Sequence, residues 1–296
     1  MPAKEGLTIE GIERRALSIR EHIITMLEEA GSGHSAGPLG IADVYAALYF
    51  RVLNHDPKRP DWAERDRLIL SCGHTVPVRY ATMAEAGYFP RRELLTLRKY
   101  GSRLQGHPHN LGLPGMETSS GPLGQGISQA IGFALAARLN QKKWHTYCIL
   151  GDGELQEGQI WEGLMYAGNR NLHNLTVIID RNNIQIDGPT ESIMPLEPLA
   201  DKIKAFNWHV IEVDGHNVQQ IIDACNEAKA ITEHPTCIIA HTIPGKGVSY
   251  MEYDYRWHGA PPGLQNISGS PEKDEQTRVA LRELRSLRGK IKGEHE

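Results

Sequence analysis

The segment 149–163, ILGDGELQEGQIWEG, gathers residue types that bind cations. An apolar run, TYCIL, ends at a Gly-Asp-Gly turn that contains Asp152, and carboxylates follow at Glu154, Glu157 and Glu162. Carboxylate oxygens are ligands that Mg²⁺ and Ca²⁺ prefer, so the turn could hold a divalent ion. The alternative is an ordinary solvated turn, because a lone glycine-rich pattern is weak evidence for a site.

A second polar turn favours the cation. The apolar run LTVIID, residues 175–180, is followed by Asn182 and Asn183. If both runs are neighbouring parallel strands, their carboxyl ends meet at the edge where open α/β sheets bind ligands. One carboxylate, one amide oxygen and a backbone carbonyl suit Mg²⁺ or Ca²⁺, and phosphate oxygens usually complete such Mg²⁺ sites. Glycines and the start of a helix near Glu157 would bring N–H groups to that phosphate. The sequence therefore predicts a cation that bridges Asp152 to a diphosphate.

Composition limits the class of protein. The 296 residues are 40% hydrophobic and 23% charged, which provides for a core and argues against disorder. The formal net charge of −4 gives no support for binding to nucleic acid or to an anionic membrane. The four cysteines form no CxxC pair, and neither a signal peptide nor a membrane-spanning apolar run is evident. We expect a cytoplasmic protein with reduced cysteines.

Hydrophobic patterns predict an α/β fold. Continuous apolar runs are typical of parallel strands that are covered on both faces, and here they alternate with helical patterns. This alternation indicates a doubly wound, mostly parallel sheet. The strands are predicted at 146–150, 175–180, 209–213 and 236–241, with a short one in RDRLILSCGH, and the helices between them at 158–171, 198–206 and 218–231.

Both ends of the chain are predicted to be helical. Apolar residues at three- and four-residue steps indicate a helix over 8–30. A charged helical tail over 271–292 carries apolar residues on one side, namely Val279, Leu281, Leu284, Leu287 and Ile291. Further helices are expected at 40–49, 77–87 and 91–100. We expect residues 1–296 to form a single domain that includes both end helices.

Residues 101–126 have no period and are rich in Gly, Pro, Ser and His. Long irregular segments in compact domains are usually functional or disordered. This segment leads into ISQAIGFALAARL, a helix that is apolar nearly all round and is therefore expected to be buried. A buried helix would anchor the segment, which favours a functional loop.

Loops at the expected ligand edge place glycine beside His34, His74, His107 and His258. Imidazole exchanges protons near neutral pH, so these groups could move protons to and from a bound ligand. A lone histidine is more often structural, and the chain has 14, so most of them need another explanation. Weaker candidates are His109, His216 and His241.

The same segments resemble the thiamine diphosphate signature of the transketolase family. The resemblance is carried by GDGELQEG and NLHNLTVIIDRNNIQIDG, and it extends through SGHSAGPLG, LSCGH, YGSRLQGHP, GLPGMETSSGPLGQGIS, WHVIEVDGHN, IPGKG and WHGAP. These blocks occur in family order from Ala16 to Pro262. The resemblance implies a thiamine diphosphate-binding fold and the transfer of a two-carbon ketol group from a ketose, or ketose phosphate, to an aldose or aldose phosphate.

The resemblance also implies which residues bind the cofactor. Asp152, Asn182 and the backbone oxygen of Ile184 would bind Mg²⁺, for which Ca²⁺ or Mn²⁺ could substitute. Gly153 would donate its backbone N–H to the diphosphate.

Further roles follow from the same comparison of motifs. Gly121 and Leu123 would contact the aminopyrimidine ring, and Glu157 would belong to a polar network that links cofactor sites across a dimer. Ser35 and Cys72, beside the expected site, differ from the residue types common in the family and leave the sugar specificity open. The substrate channel would be lined by His34, His107 and His258, and the diphosphate would lie near His74 and His258.

Transketolases continue into a second domain, which carries the glutamate that protonates the aminopyrimidine and most of the sugar-phosphate-binding side chains. We find no second strand–helix domain in this sequence, so the resemblance implies the N-terminal subunit of a split transketolase. Its partner would be a C-terminal subunit with the pyrimidine-binding domain, in an α₂β₂ heterotetramer. Two other hypotheses stay open: the α subunit of a 2-oxo acid dehydrogenase E1 component, and a noncatalytic thiamine diphosphate- or nucleotide-binding module.

Overall fold

The computed structural model of the chain describes residues 7–287, which are built around a five-stranded sheet. Its strands are β1 (Arg67–Leu70), β2 (Thr146–Gly151), β3 (Leu175–Arg181), β6 (His209–Asp214) and β7 (Thr236–His241). They are all parallel and lie in the order β1-β2-β3-β7-β6. A separate antiparallel hairpin pairs β4 (Ile184–Gln185) with β5 (Gly188–Pro189).

The helices lie before, between and after the strands. In chain order they are α1 (Ile9–Ala30), α2 (Ala36–Gly40), α3 (Ala42–Ala47), α4 (Val76–Ala86), α5 (Gln125–Leu139), α6 (Gly158–Asn169), α7 (Thr190–Ile193), α8 (Leu199–Lys204), α9 (Val218–Ala230) and α10 (Lys273–Ser286). Short 3₁₀ helices span Gly73–Thr75, Arg91–Thr96, Gly153–Gln156 and Tyr255–Trp257, and a π-helical turn spans Leu48–Val52.

Alternate residues of each strand face two different cores. In β2, Tyr147 and Ile149 pack in the core that includes α1, α3, α4 and α9. Cys148 and Leu150 pack in the core that includes α5, α6 and α8. Because side chains alternate across a strand and both faces are covered, the central strands β2, β3 and β7 are largely apolar and buried, whereas the edge strand β6 has an exposed Glu212. The predicted doubly wound parallel sheet is confirmed.

The helix after the glycine-rich segment is buried on one side only, which corrects the prediction that it is buried all round. Ile127 and Ala130 are fully buried against the sheet. Ser128 and Gly132 are exposed on the opposite side, and Leu139 is 83% exposed at the end of α5. The apolar composition of this helix comes partly from alanine and glycine, which need no burial.

Two predicted helices have different bounds in the structure. The prediction of a helix at 91–100 is wrong beyond Thr96, because the chain reverses direction at Arg98. The φ of Arg98 is +59°, and its N–H donates to the carbonyl of Leu104. The helix expected at 40–49 is divided into α2 and α3 and continues into the π-helical turn.

The tail helix α10 packs on α1. Ala280 and Leu284 are fully buried, and Arg285 Nε lies 3.0 Å from Glu21 on α1. The tail helix is therefore docked over Lys273–Ser286 rather than solvated on all sides. The rest of its predicted span, residues 288–292 with Ile291, lies outside the described residues.

The four cysteines are all buried and free. Cys148 and Cys237 lie in the sheet, and burial raises the pKa of the Cys225 thiol on α9 to about 12. No helix in the described part of the chain is long and apolar enough to cross a membrane.

Candidate functional site

A cavity of about 360 Å³ opens at the carboxyl ends of β1, β2 and β3. Parallel α/β sheets bind ligands at this edge. The cavity is lined by every residue to which the family resemblance assigned a metal, cofactor or substrate role: His34, His74, His107, Gly121, Leu123, Asp152, Gly153, Glu157, Asn182, Ile184 and His258. The segments that carry them are distant in the sequence and meet only through the fold.

The two polar turns meet because β2 and β3 are neighbours. Gly151 lies opposite Asp180 in the parallel register, so the chain leaves both strands at the same level. Asp152 is 1% exposed, and its Oδ2 accepts the N–H of Asn183 at 2.6 Å. Its Oδ1 accepts the N–H of Gly153 at 2.7 Å. Burial raises the pKa of Asp152 to about 6, against the opposing effect of these N–H groups and of Arg181.

The amide of Asn182 is held in one orientation. Its nitrogen donates to the Asp180 carboxylate at 2.9 Å, and its oxygen accepts the N–H of Ile184 at 3.1 Å. Asp180 is buried, also accepts the hydroxyl of Thr242, and has a pKa raised by burial to about 7. Asp180 was not predicted as a site residue, although a carboxylate that ends an apolar strand was a visible signal.

The donors at this edge fit a divalent cation. A Cβ built on Gly153 would lie 3.6 Å from the Ile184 carbonyl oxygen, which shows that this carbonyl adjoins the Asp152 turn. The same Cβ would lie only 2.8 Å from Gln185 Cβ, so a residue larger than glycine does not fit at position 153. Residues 7–287 hold no cluster of three or more His, Cys, Asp or Glu that could bind a metal. An ion beside Asp152 would therefore depend on oxygens from a ligand, as Mg²⁺ commonly does.

Three of the four predicted histidines form a ring cluster. The ring centroids of His34 and His74 are 4.8 Å apart, those of His74 and His258 are 5.1 Å apart, and those of His34 and His258 are 5.5 Å apart. Burial lowers the pKa of His34 and of His258 to about 4, and it holds the pKa of His74 well below its usual range. At neutral pH these imidazoles are uncharged and can both donate and accept.

Two atoms of this cluster lack a partner within the described residues. Nδ1 of His34 and Nδ1 of His258 are buried and make no hydrogen bond there. Buried polar atoms in native proteins are almost always satisfied, so both atoms fit contacts to a polar ligand.

His107 stands against the glycine-rich segment. A Cβ built on Gly121 would lie 3.8 Å from His107 Cγ. The pKa of His107 is lowered by burial and then by the positive charge of Arg98, and Arg98 also lowers the pKa of His34.

Glu154 is the one inward carboxylate of the three that follow Asp152. It is 3% exposed, whereas Glu157 and Glu162 are exposed. Its carboxylate accepts the Ser71 hydroxyl, the N–H of Gly124 at 2.7 Å and the N–H of Gly151 at 3.1 Å. Burial raises its pKa, while these donors stabilise the charged form. Glu154 thus joins three segments of the cavity wall, a role that was not predicted.

The three weaker histidine candidates do not line the cavity. His216 is buried, accepts the N–H of Ile243 and lies 2.9 Å from Asp43, so it joins elements of the core. His241 pairs with Glu212 at the exposed end of β7. His109 lies half-buried in the irregular segment.

The fold and the position of the cavity define a class, the parallel α/β proteins whose ligands bind at the carboxyl ends of adjacent strands. The family described as transketolase, thiamine diphosphate binding domain, matches residues 12–274. The chain belongs to the transketolase family, and the match covers its thiamine diphosphate-binding domain.

Several relatives of this chain are themselves separate subunits. A 6-deoxy-6-sulfo-D-fructose transketolase subunit of Clostridium sp. strain MSTE9 is 46% identical over 241 residues, which cover 81% of this chain and 88% of that protein. An apulose-4-phosphate transketolase subunit of Phocaeicola vulgatus is 37% identical over 91% of this chain and 96% of that protein.

Solved transketolases share the fold but are longer. The transketolase of Pichia stipitis in complex with sedoheptulose 7-phosphate superposes with a TM-score of 0.82 and 32% identity. The aligned region covers 95% of this chain and 45% of that one. The transketolase of Leishmania mexicana gives a TM-score of 0.81 and 34% identity over 94% of this chain and 45% of its own. This chain therefore spans less than half of these solved enzymes.

Proposed function

We propose that this chain is the N-terminal subunit of a thiamine diphosphate-dependent transketolase and forms a single diphosphate-binding domain. The observation that carries the proposal is one cavity in which Asp152 and Asn182 meet three clustered histidines. Oxygen donors at the strand ends suit the metal diphosphate, and uncharged imidazoles suit a polyhydroxylated substrate. A noncatalytic binding module would have no need for the imidazole cluster.

In this proposal Mg²⁺ is bound by Asp152, Asn182 and the Ile184 carbonyl, and Ca²⁺ or Mn²⁺ can replace it. The N–H of Gly153, which bonds Asp152 Oδ1 in this structure, is shared with the diphosphate when the cofactor binds. When bound, thiamine diphosphate supplies the nucleophilic carbon and the electron sink for breaking and forming the carbon–carbon bond. The chain holds the cofactor and keeps water from the reacting atoms.

The remaining residues act on the organic part of the cofactor and on the sugar. Gly121 and Leu123 contact the aminopyrimidine, and Glu157 joins the network toward a second cofactor site. Nδ1 of His34 and Nδ1 of His258 exchange protons or hydrogen bonds with sugar hydroxyls, since both atoms lack partners in the described residues. His107 acts in the substrate channel, and His74 lies near the diphosphate.

The partner in the proposal is a C-terminal subunit that carries the pyrimidine-binding domain, in an α₂β₂ heterotetramer. Exposed apolar side chains on α5 and α6 support an interface, among them Leu139, Met165 and Tyr166 at 83%, 55% and 42% exposure. Ketose and aldose phosphates are the proposed substrates, although the relatives' names specify a sulfo sugar and apulose 4-phosphate. The free cysteines fit a reducing, cytoplasmic location.

Reconstitution tests the proposal. The chain is mixed with a separately expressed pyrimidine-binding subunit, Mg²⁺ and thiamine diphosphate, and ketol transfer from a ketose phosphate to an aldose phosphate is measured. We expect activity only with both chains, its loss in Asp152→Asn, and its retention in Asp187→Asn, which changes an exposed carboxylate of the hairpin between β4 and β5. Robust transfer by this chain alone would refute the split-subunit proposal. Pyruvate oxidation with an electron acceptor, without ketol transfer, would favour the 2-oxo acid dehydrogenase alternative.

A further inference from the structure

Arg181, the last residue of β3, is buried beside the proposed metal site. It is 3% exposed. Nη1 donates to Asp152 Oδ2 at 3.1 Å and to Thr190 Oγ1 at 3.0 Å. Nη2 donates to Glu191 at 2.7 Å and to Glu197 at 2.9 Å. The planar guanidinium is therefore fixed by four acceptors, an arrangement that a lysine ammonium could not reproduce.

Arg181 is the only side chain in residues 7–287 with a hydrogen bond to Asp152. Oδ2 of Asp152 accepts two donors, the guanidinium and the N–H of Asn183, which use both of its lone pairs. Oδ1 accepts only the N–H of Gly153 and keeps a lone pair. The hydrogen bonds thus distinguish the two oxygens and leave Oδ1 as the one able to bind a cation.

We propose that Arg181 is a positioning residue that turns the Asp152 carboxylate so that Oδ1 faces the divalent cation of the diphosphate site. This inference rests on the proposed function, because it concerns the same site. The contacts of Nη2 with Glu191 and Glu197 place negative charge on the far side of the guanidinium. These carboxylates offset a positive charge that would otherwise repel the metal.

Two other roles for Arg181 give different results when it is replaced. If its charge mattered most, removing it would tighten metal binding, because like charges repel. If it only anchored residues 190–197, removing it would lower the melting temperature of the apo chain and leave metal affinity unchanged. A positioning role predicts weaker metal binding, since partners that orient metal ligands typically contribute about 10–100-fold in affinity.

The experiment uses the full chain reconstituted with the pyrimidine-binding subunit and isothermal calorimetry of thiamine diphosphate over a range of Mg²⁺ concentrations, with melting of the apo chain in parallel. Arg181→Met should weaken the Mg²⁺-dependent affinity by about 10–100-fold. Arg181→Lys keeps the charge but not the planar fork, so it should fall between Arg181→Met and the unchanged chain. Asp187→Asn is the matched control, because it neutralises an exposed carboxylate that makes no contact with Arg181 and should leave the affinity nearly unchanged.

Each outcome decides between the roles. Equal or tighter metal-dependent binding in Arg181→Met overturns the inference, and so does a lower melting temperature with unchanged affinity. If Arg181→Met does not fold, Arg181→Lys decides, because weaker binding at an unchanged melting temperature supports positioning and unchanged binding refutes it. If the complex with the unchanged chain takes up no thiamine diphosphate with Mg²⁺, the proposed function fails and the inference fails with it.

Discussion

Oδ2 of Asp152 and the backbone nitrogen of Asn183 lie 2.6 Å apart across the ends of two neighbouring strands. The register that pairs Gly151 with Asp180 brings these residues together. Neither turn provides enough oxygens for a metal alone, and the parallel pairing of β2 and β3 supplies the rest. The proposed cation site therefore depends on the pairing of the two strands and not on either motif alone.

Replacing Asp180 tests how the Asn182 amide is held. Asp180→Asn should have little effect, because the new amide can accept from Asn182 and donate to Thr242. Asp180→Val removes the acceptor, leaves the Asn182 nitrogen without its partner, and should reduce Mg²⁺-dependent thiamine diphosphate affinity by about 10–100-fold. Calorimetry of both variants checks this. Similar affinity in the two variants would show that the contact with Asp180 does not orient the Asn182 amide.

Glu154→Gln should destabilise the chain. All three groups that contact the carboxylate are donors, so the amide nitrogen of glutamine would face an N–H and leave it unsatisfied. Such a loss costs about 1–3 kcal/mol, or roughly 2–4 °C in melting temperature per kcal/mol. Thermal unfolding provides the measurement, with exposed Glu162→Gln as the control. Equal melting temperatures would mean that Glu154 does not hold the three segments together.

Two glycines of α5 should respond oppositely to alanine. A Cβ at Gly126 would lie 2.3 Å from Ser71 Cβ and 2.6 Å from its Cα, so Gly126→Ala should cost at least about 1–3 kcal/mol. Gly132 has nothing within 4 Å, and Gly132→Ala should add about 0.5–1 kcal/mol through helix propensity. Denaturant unfolding of the isolated chain compares them. A tolerated Gly126→Ala would contradict the close approach of α5 to the end of β1.

Arg98→Gln should raise the pKa of His107 and of His34. The positive charge of Arg98 disfavours the protonated form of both imidazoles. Removing that charge therefore raises both pKa values. Each pKa should rise by less than about one, because burial, and not Arg98, is the main reason that these pKa values are low. His258, whose pKa is lowered by burial, serves as the internal control and should not move. NMR titration of the imidazole protons reports all three, and an unchanged His107 would refute the electrostatic coupling.

Much of the fold was predictable because it depends on patterns local to the sequence. Strands covered on both faces require continuous apolar runs, and β2, β3 and β7 lie where these runs predicted them. Parallel strands then determine which ends share an edge, so the meeting of Asp152 with Asn182 and Asn183 followed from the sequence. The glycine-flanked loops placed the four histidines at the ligand edge, and the resemblance to a known family gave them neighbouring roles.

The features that the sequence did not predict depend on tertiary contacts. Three carboxylates follow Asp152, and nothing in their order shows that Glu154 turns inward while Glu157 and Glu162 stay exposed. Arg181 reads as a charged residue at a strand end, and its burial arises from acceptors beyond the hairpin. The helical spacing at 91–100 was misleading because the chain reverses at Arg98.

The most direct test of the metal site is anomalous diffraction from crystals of this chain grown with thiamine diphosphate and Mn²⁺ in place of Mg²⁺. The proposal predicts one strong manganese peak within about 2–2.5 Å of Asp152 Oδ1, Asn182 Oδ1 and the Ile184 carbonyl oxygen, with the diphosphate completing the coordination. A cofactor bound with its diphosphate elsewhere, or a manganese peak away from these three oxygens, would contradict it.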